Sequence, residues 1–418
     1  MTNFACARVT FTLTLGDMFS PKKPLAMAEF VSLLAFMISI VAMAIDSMLP
    51  ALGIIARDLG LENPNDAQLV ITAMFFGFAI GQLLAGPLSD CYGRKPVVYA
   101  GYSVFIMGCI LSMTTSSFEL ILAGRVLQGL GAAAPRIIGI AIVRDGYEGR
   151  AMASIMSIVM AIFILVPAIA PAIGQGILLV ASWRAIFALL LGIAVLALLW
   201  FSTRQPETLA VENRRVLSVA ELWAGIWEAL SYRMLAGYMT CAGLVFAGLL
   251  GYLNTAQQIF QDVYGTGELF AVYFGGIALA IGASSIVNSK LVITLGMRFI
   301  SVRCVMMIAL VSLLFLPVTL SFGGVPPFWL FMLWLFVVFF CFGMLFGNLN
   351  ALAMEPVGHM AGLGAAVHGS LSTVIGIPFG WAIGVAFNGT IIPLVVGFSL
   401  LSIAALAVMF WTEGGMPK

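Results

Sequence analysis

The chain has 418 residues, of which 62% are hydrophobic and only 9% are charged, and its formal net charge is +1. Soluble domains carry about 25% charged residues and about 45–50% apolar ones, so the composition excludes a water-soluble enzyme and a nucleic-acid-binding protein. A helix needs roughly 20 residues to cross about 30 Å of hydrocarbon. The chain is therefore long enough for about twelve such helices with short connections, and a receptor with one span is excluded.

Apolar windows along the chain predict twelve membrane spans, separated by polar turns that are rich in Gly and Pro. The predicted spans are 28–50, 69–88, 97–115, 119–142, 152–175, 183–201, 234–258, 268–289, 299–321, 327–350, 361–384 and 389–411. Because the number is even, both chain ends are predicted to lie on the same side of the membrane. The sequence therefore predicts an all-α membrane protein.

The basic residues predict which side that is. If the N-terminus is cytoplasmic, the cytoplasmic segments hold fifteen Lys and Arg residues, whereas the outer loops hold two, Arg57 and Arg184. Cytoplasmic loops of membrane proteins carry an excess of Lys and Arg, so both termini are predicted to be cytoplasmic. Two further arginines, Arg125 and Arg136, fall inside the fourth predicted span.

A long polar interval in the middle of the chain divides the spans into two sets of six. The predicted parts are cytoplasmic tails at 1–27 and 412–418, an N-terminal bundle at 28–201, a linker at 202–233 and a C-terminal bundle at 234–411. The second part of the linker mixes Leu, Ile and Trp with Glu, which favours an amphipathic helix at the membrane surface. A solvated linker explains the same composition. The start codon is left open between Met1 and Met18.

Tight basic turns recur at the same position in each half of the chain. Gly86–Lys95 follows the second predicted span, and Asn288–Arg298 follows the eighth. The match is loose, because the second copy lacks the acidic residue of the first. Internal duplication of this kind is typical of transporters.

Four segments resemble signatures of a known family. Gly86–Lys95 fits G-x-L-x-D-x-x-G-R-K/R, Arg125–Gly131 fits R-x-x-Q-G-x-G, and Asp46–Leu52 resembles acid-x-x-L-P-A-L. The fourth, P-x-x-x-P-x-x-G, lies at 167–174 in the fifth span. With these segments the chain resembles the twelve-span drug:proton antiporters of the major facilitator superfamily, of the bicyclomycin/chloramphenicol-resistance type.

The resemblance implies both a fold and a reaction. The fold is the major facilitator fold, with twelve transmembrane helices in two pseudo-symmetric six-helix bundles, in the bacterial cytoplasmic (inner) membrane. The reaction is the exchange of a drug for protons by alternating access. Pro167, Pro171 and Gly174 would form the antiporter signature of the fifth helix, although Gln175 stands where that signature usually has a second glycine.

Asp46 and Arg125 are ionisable residues predicted to lie inside the membrane. By helical rise they are about 6 Å and about 9 Å from the outer ends of their spans, so an ion pair between them is geometrically possible. Burial favours the neutral carboxyl and a neighbouring guanidinium favours the charged one, so Asp46 could load and release a proton. We predict Asp46 as the coupling carboxyl, tuned by Arg125. The alternative is a structural pair that never titrates.

Polar residues on several spans are predicted to line the substrate cavity. Arg136 lies eleven residues after Arg125, almost three helical turns, so both arginines and Gln128 would face the same side. Pro135 would bend this helix. Arg136 is interpreted either as a cationic contact for an anionic substrate group or as a residue that snorkels to the cytoplasmic surface or pairs with another helix. The predicted cavity residues are Asp46, Arg125, Gln128, Arg136, Asn254, Gln257, Gln258, Asn348 and Asn350.

The turn after the second span is predicted to act as a conformational switch. Gly86 and Gly93 would permit a tight connection. Asp90 could accept hydrogen bonds from arginines or helix N-termini in one conformation only. Arg94 and Lys95 would anchor the topology, which is the alternative role of the whole turn.

Two further predictions concern a second titrating site and the shape of the fifth helix. Glu355 or His368 is predicted as a second protonation site, because histidine titrates near neutrality, although a loop acid and a packed histidine explain the same residues. Pro167 and Pro171 are predicted to keep the fifth helix from being a straight rod, as a hinge or a sliding surface.

The sequence lacks the motifs of ATP-driven pumps and membrane metalloproteases. No Lys stands after a Gly as a phosphate-binding G-x-x-x-x-G-K-[ST] loop requires, so an ATP-driven pump is not predicted. The sequence has no H-E-x-x-H motif, and its six cysteines include no C-x-x-C pair. We therefore predict no metal and no cofactor. We predict a proton-coupled secondary transporter, not an enzyme, that exports a small amphipathic compound as a monomer in membrane lipid. The rivals are an organic-anion or metabolite carrier on the same fold and a non-transporting receptor or scaffold.

Overall fold

The structure is a computed structural model that describes residues 25–214 and 218–414. Most of the predicted N-terminal tail, including both candidate start residues, and the end of the predicted C-terminal tail lie outside the described residues. We use inner and outer in the sense of the sidedness predicted from the basic residues.

Long apolar helices make up almost all of the described chain, which contains no β-strand. In chain order they are α1 (Met27–Asp46), α2 (Leu69–Tyr92), α3 (Arg94–Thr114), α4 (Phe118–Gly146), α5 (Gly149–Val180), α6 (Arg184–Arg204), α7 (Arg233–Gln257), α8 (Phe270–Leu295), α9 (Met297–Ser321), α10 (Phe328–Met354), α11 (Ala361–Val385) and α12 (Ile392–Glu413). A short helix, Leu52–Asp58, extends the outer end of α1.

The apolar stretch Phe328–Val385 contains two membrane spans. It has 58 residues, which would be about 87 Å of continuous helix at 1.5 Å per residue, far more than one crossing needs. The chain turns at Glu355–Met360, where Val357 has φ −111° and ψ 26°, outside the helical region. The described chain therefore has twelve crossings, which confirms the predicted number.

Several helices are longer than the apolar windows predicted. α2 continues to Tyr92 and α6 to Arg204, because a helix that satisfies its own backbone hydrogen bonds can extend beyond the hydrocarbon. The signature segment Gly86–Lys95 was expected to form a tight turn, and this expectation is wrong. Most of it is helix, and Gly93 alone separates α2 from α3, with φ +100°.

The twelve helices form two bundles of six that meet along two seams. α2 packs against α11, and α5 packs against α8, so each half contributes its second and fifth helix. Inside the N-terminal half, glycines allow close approach of backbones. A Cβ at Gly129 would collide with the carbonyl oxygen of Met74, and one at Gly77 would collide with that of Val126. Small residues at such positions let membrane helices pack closely. The predicted all-α architecture of twelve transmembrane helices in two six-helix bundles is confirmed, and the cytoplasmic location of the termini stays a prediction.

The linker contains the amphipathic helix that the sequence favoured, at Val219–Ser231. Ile226 and Ala229 are buried, and the helix packs on α7 and α11. Trp223 and Trp227 on its other face are 61% and 65% exposed. Exposed tryptophans are typical of the boundary between lipid and water, so this geometry favours a surface-lying helix over a solvated linker.

Candidate functional site

Three amide side chains join the two halves at the outer side. Asn65, in the turn before α2, donates through Nδ2 to the carbonyl oxygens of Val385 (3.3 Å) and Phe387 (3.0 Å) at the end of α11. Gln258 Nε2 donates to Asn65 Oδ1 (2.7 Å), and Gln68 Nε2 donates to Gln258 Oε1 (2.7 Å). We call Asn65, Gln68 and Gln258 the amide seal. It makes the outer side the closed side of this state.

A pocket of about 340 Å³ lies beside the amide seal, between the short helix after α1 and the end of α7. The predicted cavity residues Asn254, Gln257 and Gln258 all line it, and Arg57 and Asp262 stand at its edge. Sequence reasoning missed Gln68, which lines the same pocket. The polar residues of α7 therefore face the space between the halves, on the outer side.

Asp46 is a buried carboxyl at the end of α1. Its exposed fraction is 5%, and within the described residues it forms no ion pair. The turn Leu49–Ala51, which follows Asp46, packs against α7 of the opposite half. The acid therefore lies close to the interface between the halves.

Gly174 packs α5 directly against the chain segment that follows Asp46. A Cβ at Gly174 would collide with the carbonyl oxygen of Ser47 and would lie 3.2 Å from Pro50 Cγ. Only glycine leaves room for this contact. The last residue of the predicted antiporter signature is thus placed next to the predicted coupling acid.

In the state described, Arg125 forms no ion pair with Asp46 among the described residues, and its tuning of the acid stays a prediction. Arg125 is fully buried inside the N-terminal half. Its Nε donates to the carbonyl oxygen of Val70 (2.8 Å), and its Nη1 donates to Gln128 Oε1 (2.8 Å). Gln128 Nε2 in turn donates to Ser112 Oγ (3.2 Å). Arg125 and Gln128 therefore connect α2, α3 and α4 and do not line a cavity here.

Arg136 has a different environment from Arg125 on the same helix. Its guanidinium lies 5.2 Å from the ring centroid of Phe78 and 5.6 Å from that of Phe163. It is partly exposed and has no carboxylate partner in the described part of the chain. It lies ten residues before the end of α4, about 15 Å from that end. Its aromatic neighbours belong to α2 and α5, so Arg136 contacts other helices instead of snorkelling to the surface, and its contact with an anionic substrate stays a prediction.

The two predicted asparagines of α10 lie apart from the other candidates. Asn348 and Asn288 of α8 exchange hydrogen bonds of 2.9 and 3.1 Å through their side-chain amides, so Asn348 fastens α10 to α8. Asn350 is exposed. Asn348 therefore has a partner inside its own half and is not free to bind a substrate in this state.

Glu355 and His368, the two alternatives for a second protonation site, lie in different environments. Glu355 is half exposed at the inner side and pairs with Arg298 at 2.7 Å. His368 is buried in α11, and its Nδ1 has no hydrogen-bond partner. The contacts of Glu355 are those of a surface ion pair that joins helices of the C-terminal half.

The predicted switch segment forms an ionic cluster at the inner side. Arg94 donates through Nε and Nη2 to Asp145 (2.9 and 3.3 Å) and through Nη1 to Asp90 (2.6 Å) and Ser89 (2.7 Å). The sequence pointed to Asp90 as an acceptor, but it gave no indication of Asp145. The cluster fastens the α2–α3 connection to the end of α4 within one half.

Glu207 of the linker caps the start of α3. Its carboxylate accepts 3.0 Å hydrogen bonds from the backbone N–H groups of Arg94 and Lys95, where the helix dipole favours negative charge. A Cβ at Gly93 would lie 2.8 Å from Glu207 Oε2, so glycine is needed there for space as well as for φ. Gly86 has open space around its Cα, so its predicted role in a tight connection is not supported.

The two prolines of the predicted antiporter signature lie inside α5, which runs unbroken from Gly149 to Val180. Next to Pro167, α5 packs closely against Gly275 of α8. A Cβ added at Gly275 would lie 2.8 Å from the carbonyl oxygen of Ala168. The prolines therefore lie on the helix that contacts both α1 of its own half and α8 of the other half.

Comparison with known proteins agrees with this geometry. The family model of the Major Facilitator Superfamily matches residues 31–380, from α1 into α11. The chain belongs to the Major Facilitator Superfamily. It is therefore a multi-pass membrane transporter of a family that binds small-molecule substrates.

The curated relatives include several transporters of this superfamily. One, named an uncharacterized MFS-type transporter YdgK of Bacillus subtilis, is 30% identical over 82% of this chain and 86% of its own length. The bicyclomycin resistance protein homolog of Haemophilus influenzae is 28% identical over 90% and 96%. The multidrug resistance protein MdtL of Salmonella paratyphi B is 30% identical over 86% and 89%. These relatives support the resemblance to the drug-efflux branch of the Major Facilitator Superfamily.

Solved structures of the superfamily share the fold. The human organic anion transporter MFSD10 aligns with a TM-score of 0.65 at 16% identity, over 93% of this chain and 100% of its own. The xylose transporter XylE of E. coli, in a partially occluded inward open conformation, aligns with a TM-score of 0.70 at 13% identity, over 91% and 95%.

Proposed function

We propose that this protein is a proton-coupled secondary transporter of the bacterial inner membrane that exports small amphipathic compounds in exchange for protons. The observation that carries the proposal is Asp46, a buried carboxyl without an ion-pair partner among the described residues, just before a turn that packs against α7 of the opposite half. Relatives named for bicyclomycin and multidrug resistance support the class of substrate. No cofactor is needed, because each charge that crosses the membrane supplies about 2.3 kcal/mol per 100 mV.

The environment of Asp46 explains why a proton would be coupled to the change of state. A charged carboxylate in a low-dielectric site is unfavourable unless it is paired, so the closed outer side favours the protonated acid. Separation of the halves on that side would admit water and let Asp46 take up a proton from outside, which it would release to the inner side before cargo binds. The acid would thus be neutral in one state and charged in the other.

The packing of α5 provides a connection between Asp46 and the interface of the halves. Gly174 contacts the backbone at Ser47, immediately after the acid, and α5 also contacts α8 at Gly275. A movement of the halves along the α5–α8 seam would therefore displace the backbone beside Asp46. Because packed helices change between discrete arrangements, this contact would couple protonation to opening.

The test replaces Asp46 in the full chain and measures proton movement in proteoliposomes. Asp46→Asn keeps the shape of the side chain and removes the titratable group, so substrate-dependent proton flux should fall at least tenfold while substrate binding remains. The control is Glu62→Gln, which removes a carboxylate from the exposed outer turn and should leave flux unchanged. Undiminished proton coupling in Asp46→Asn would reject the role of Asp46.

Arg136 supports a second candidate, an organic-anion carrier on the same fold. A guanidinium held between two aromatic rings, without a carboxylate partner in the described chain, is available to an anionic cargo. Binding of matched cationic, neutral and anionic ligands would separate the two candidates. If anions bind best and Arg136→Gln removes that preference, the anion carrier is favoured. The same substitution leaves the binding of cations unchanged or stronger if the cargo is cationic.

A non-transporting receptor or scaffold is the remaining rival. Proteoliposomes that show no substrate-dependent proton flux across a broad panel of compounds would favour it. One chain contains both halves and both seams, so we propose that a monomer is sufficient for transport. A flux that depends on protein density in the liposomes would contradict this.

A further inference from the structure

Arg233 is a cation at the inner end of α7 without an acidic partner among the described residues. It is the first residue of α7, where the linker ends, and it is exposed. Two acids of the neighbouring segments have other partners, since Glu228 pairs with His359 and Glu413 pairs with Arg298. The positive charge of Arg233 is therefore available to an anion from outside the protein.

The end of α12 holds the guanidinium of Arg233 in place. Its Nε donates to the carbonyl oxygen of Thr412 (2.9 Å), at the end of the helix where the dipole favours a cation. Its Cζ lies 5.8 Å from the ring centroid of Trp411, within the range of a cation–π contact. The bond to Thr412 is the only hydrogen bond of this side chain in the described part of the protein, so both Nη groups keep free N–H donors.

An apolar stripe on α12 leads from this guanidinium into the membrane. Leu400, Ile403, Ala407 and Trp411 are exposed, and their spacing of three or four residues places them on one face of the helix. The other faces of α12 pack against α7 and α9. From residue 400 to residue 411 the helix rises about 16 Å, roughly half of a hydrocarbon core of about 30 Å. The stripe therefore has the depth of one lipid leaflet, with the cation at its inner end.

We propose that Arg233, Trp411 and this stripe bind an anionic phospholipid of the inner leaflet. The free Nη donors would bind phosphate oxygens, which match the planar fork of a guanidinium. The indole would lie at the level of the headgroups, and one acyl chain would follow the stripe. Anionic lipids are attracted to basic groups at the cytoplasmic surface of a membrane.

An occupied lipid site would hold the end of the linker at the membrane, because the linker enters α7 at Arg233. The exposed Trp223 and Trp227 of the linker helix would lie at the same membrane surface. The site does not depend on Asp46 or on the transported compound, so it stands or fails separately from proton coupling.

The experiment measures lipid binding to the full chain by native mass spectrometry in detergent. The probes are dioleoylphosphatidylglycerol, which is anionic, and dioleoylphosphatidylcholine, which has the same acyl chains and no net charge. The anionic lipid should bind roughly tenfold more tightly, as expected for hydrogen bonds to a charged group. Arg233→Gln should remove this preference. The matched control Arg150→Gln removes another exposed arginine from the inner side and should keep it.

Two further variants separate loss of the site from loss of the fold. Trp411→Leu keeps Arg233, the carbonyl oxygen of Thr412 and the apolar stripe. It should weaken binding of the anionic lipid roughly threefold, as expected for the loss of a cation–π contact. Arg233→Lys keeps the positive charge without the planar fork, and its affinity should lie between those of the wild-type chain and Arg233→Gln.

Four results would overturn the inference. Equal affinity of the two lipids for the wild-type chain would show that the headgroup charge is not recognised. An equal loss in Arg150→Gln would assign the preference to the general charge of the inner surface. Unchanged binding in Trp411→Leu would place the headgroup elsewhere. Displacement of the lipid by millimolar inorganic phosphate would mean that Arg233 takes up a free anion and not a lipid.

Discussion

The outer and inner sides of the molecule are held together by different chemistry. At the outer side, neutral amides cross between the halves, as in the 2.7 Å bonds of Gln258 to Gln68 and Asn65. At the inner side, the charged groups Arg94 and Asp145 stay within one half. Neutral hydrogen bonds contribute about 1 kcal/mol each, whereas removal of one partner from a buried ion pair costs about 3–5 kcal/mol. The contact that must break during alternating access is thus the weaker of the two.

The largest expected effect is the loss of the inner cluster. Arg94→Ala removes the partner of Asp90 and Asp145, and the Arg94 side chain is only 4% exposed, so the free energy of unfolding should fall by about 3 kcal/mol. Thermal or denaturant unfolding in detergent measures this. The control Arg204→Ala breaks a pair with Glu29 that is partly exposed, and it should lower the free energy of unfolding much less, because solvent screens exposed ion pairs. Equal losses in both variants would remove the distinction between the buried cluster and a surface pair.

The helices and their order could be predicted from the sequence because hydropathy is a local property. The partners of individual side chains could not. The spacing of Arg125 and Arg136 predicted that they face one side of α4, yet Arg125 hydrogen-bonds inside the N-terminal half and Arg136 lies near two aromatic rings. A helical period gives a direction but does not identify the neighbouring helix in that direction. Glu207, which caps α3 from 113 positions along the chain, had no local signal at all.

The amide seal was missed for a different reason. Gln257 and Gln258 were predicted as cavity residues because they are polar residues within an apolar helix, whereas Asn65 and Gln68 lie in a turn where polar residues are expected. Their role depends on the end of α11 being opposite that turn. The sequence did contain a signal for this contact. Amide side chains are concentrated at the outer ends of both α2 and α7, in a chain with only 9% charged residues.

An intermediate effect is expected from opening the seal. Gln258→Leu removes both hydrogen bonds between amides of the two halves. Their loss should destabilise the outer-closed state by about 1–2 kcal/mol, so the outer-open population should rise roughly tenfold. Pulsed EPR between spin labels at Glu62→Cys and Asn388→Cys, both exposed positions, measures the separation of the halves. The control Gln261→Leu loses bonds within the C-terminal half only. An unchanged distance distribution in Gln258→Leu would show that the seal does not hold the halves together.

The two variants also test each other. Arg94→Ala should lower the unfolding midpoint without widening the outer distance, and Gln258→Leu should widen the distance with little effect on unfolding. If Arg94→Ala opens the outer side as much as Gln258→Leu does, then the inner cluster controls the state of the protein and the two sides are not independent.

The smallest effect is expected at Glu355, which the sequence offered as a second protonation site. Its partner Arg298 also pairs with Glu413 at 3.0 Å, and both Glu355 and Arg298 are partly exposed. Glu355→Gln therefore removes one surface ion pair and should change the free energy of unfolding by less than about 1 kcal/mol. Because Arg298 keeps its second partner, the inner ends of α9 and α12 should stay joined. Transport measured across a pH series should keep its profile, whereas a displaced profile would mean that this exposed acid exchanges protons during the cycle and that coupling is not confined to the buried carboxyl.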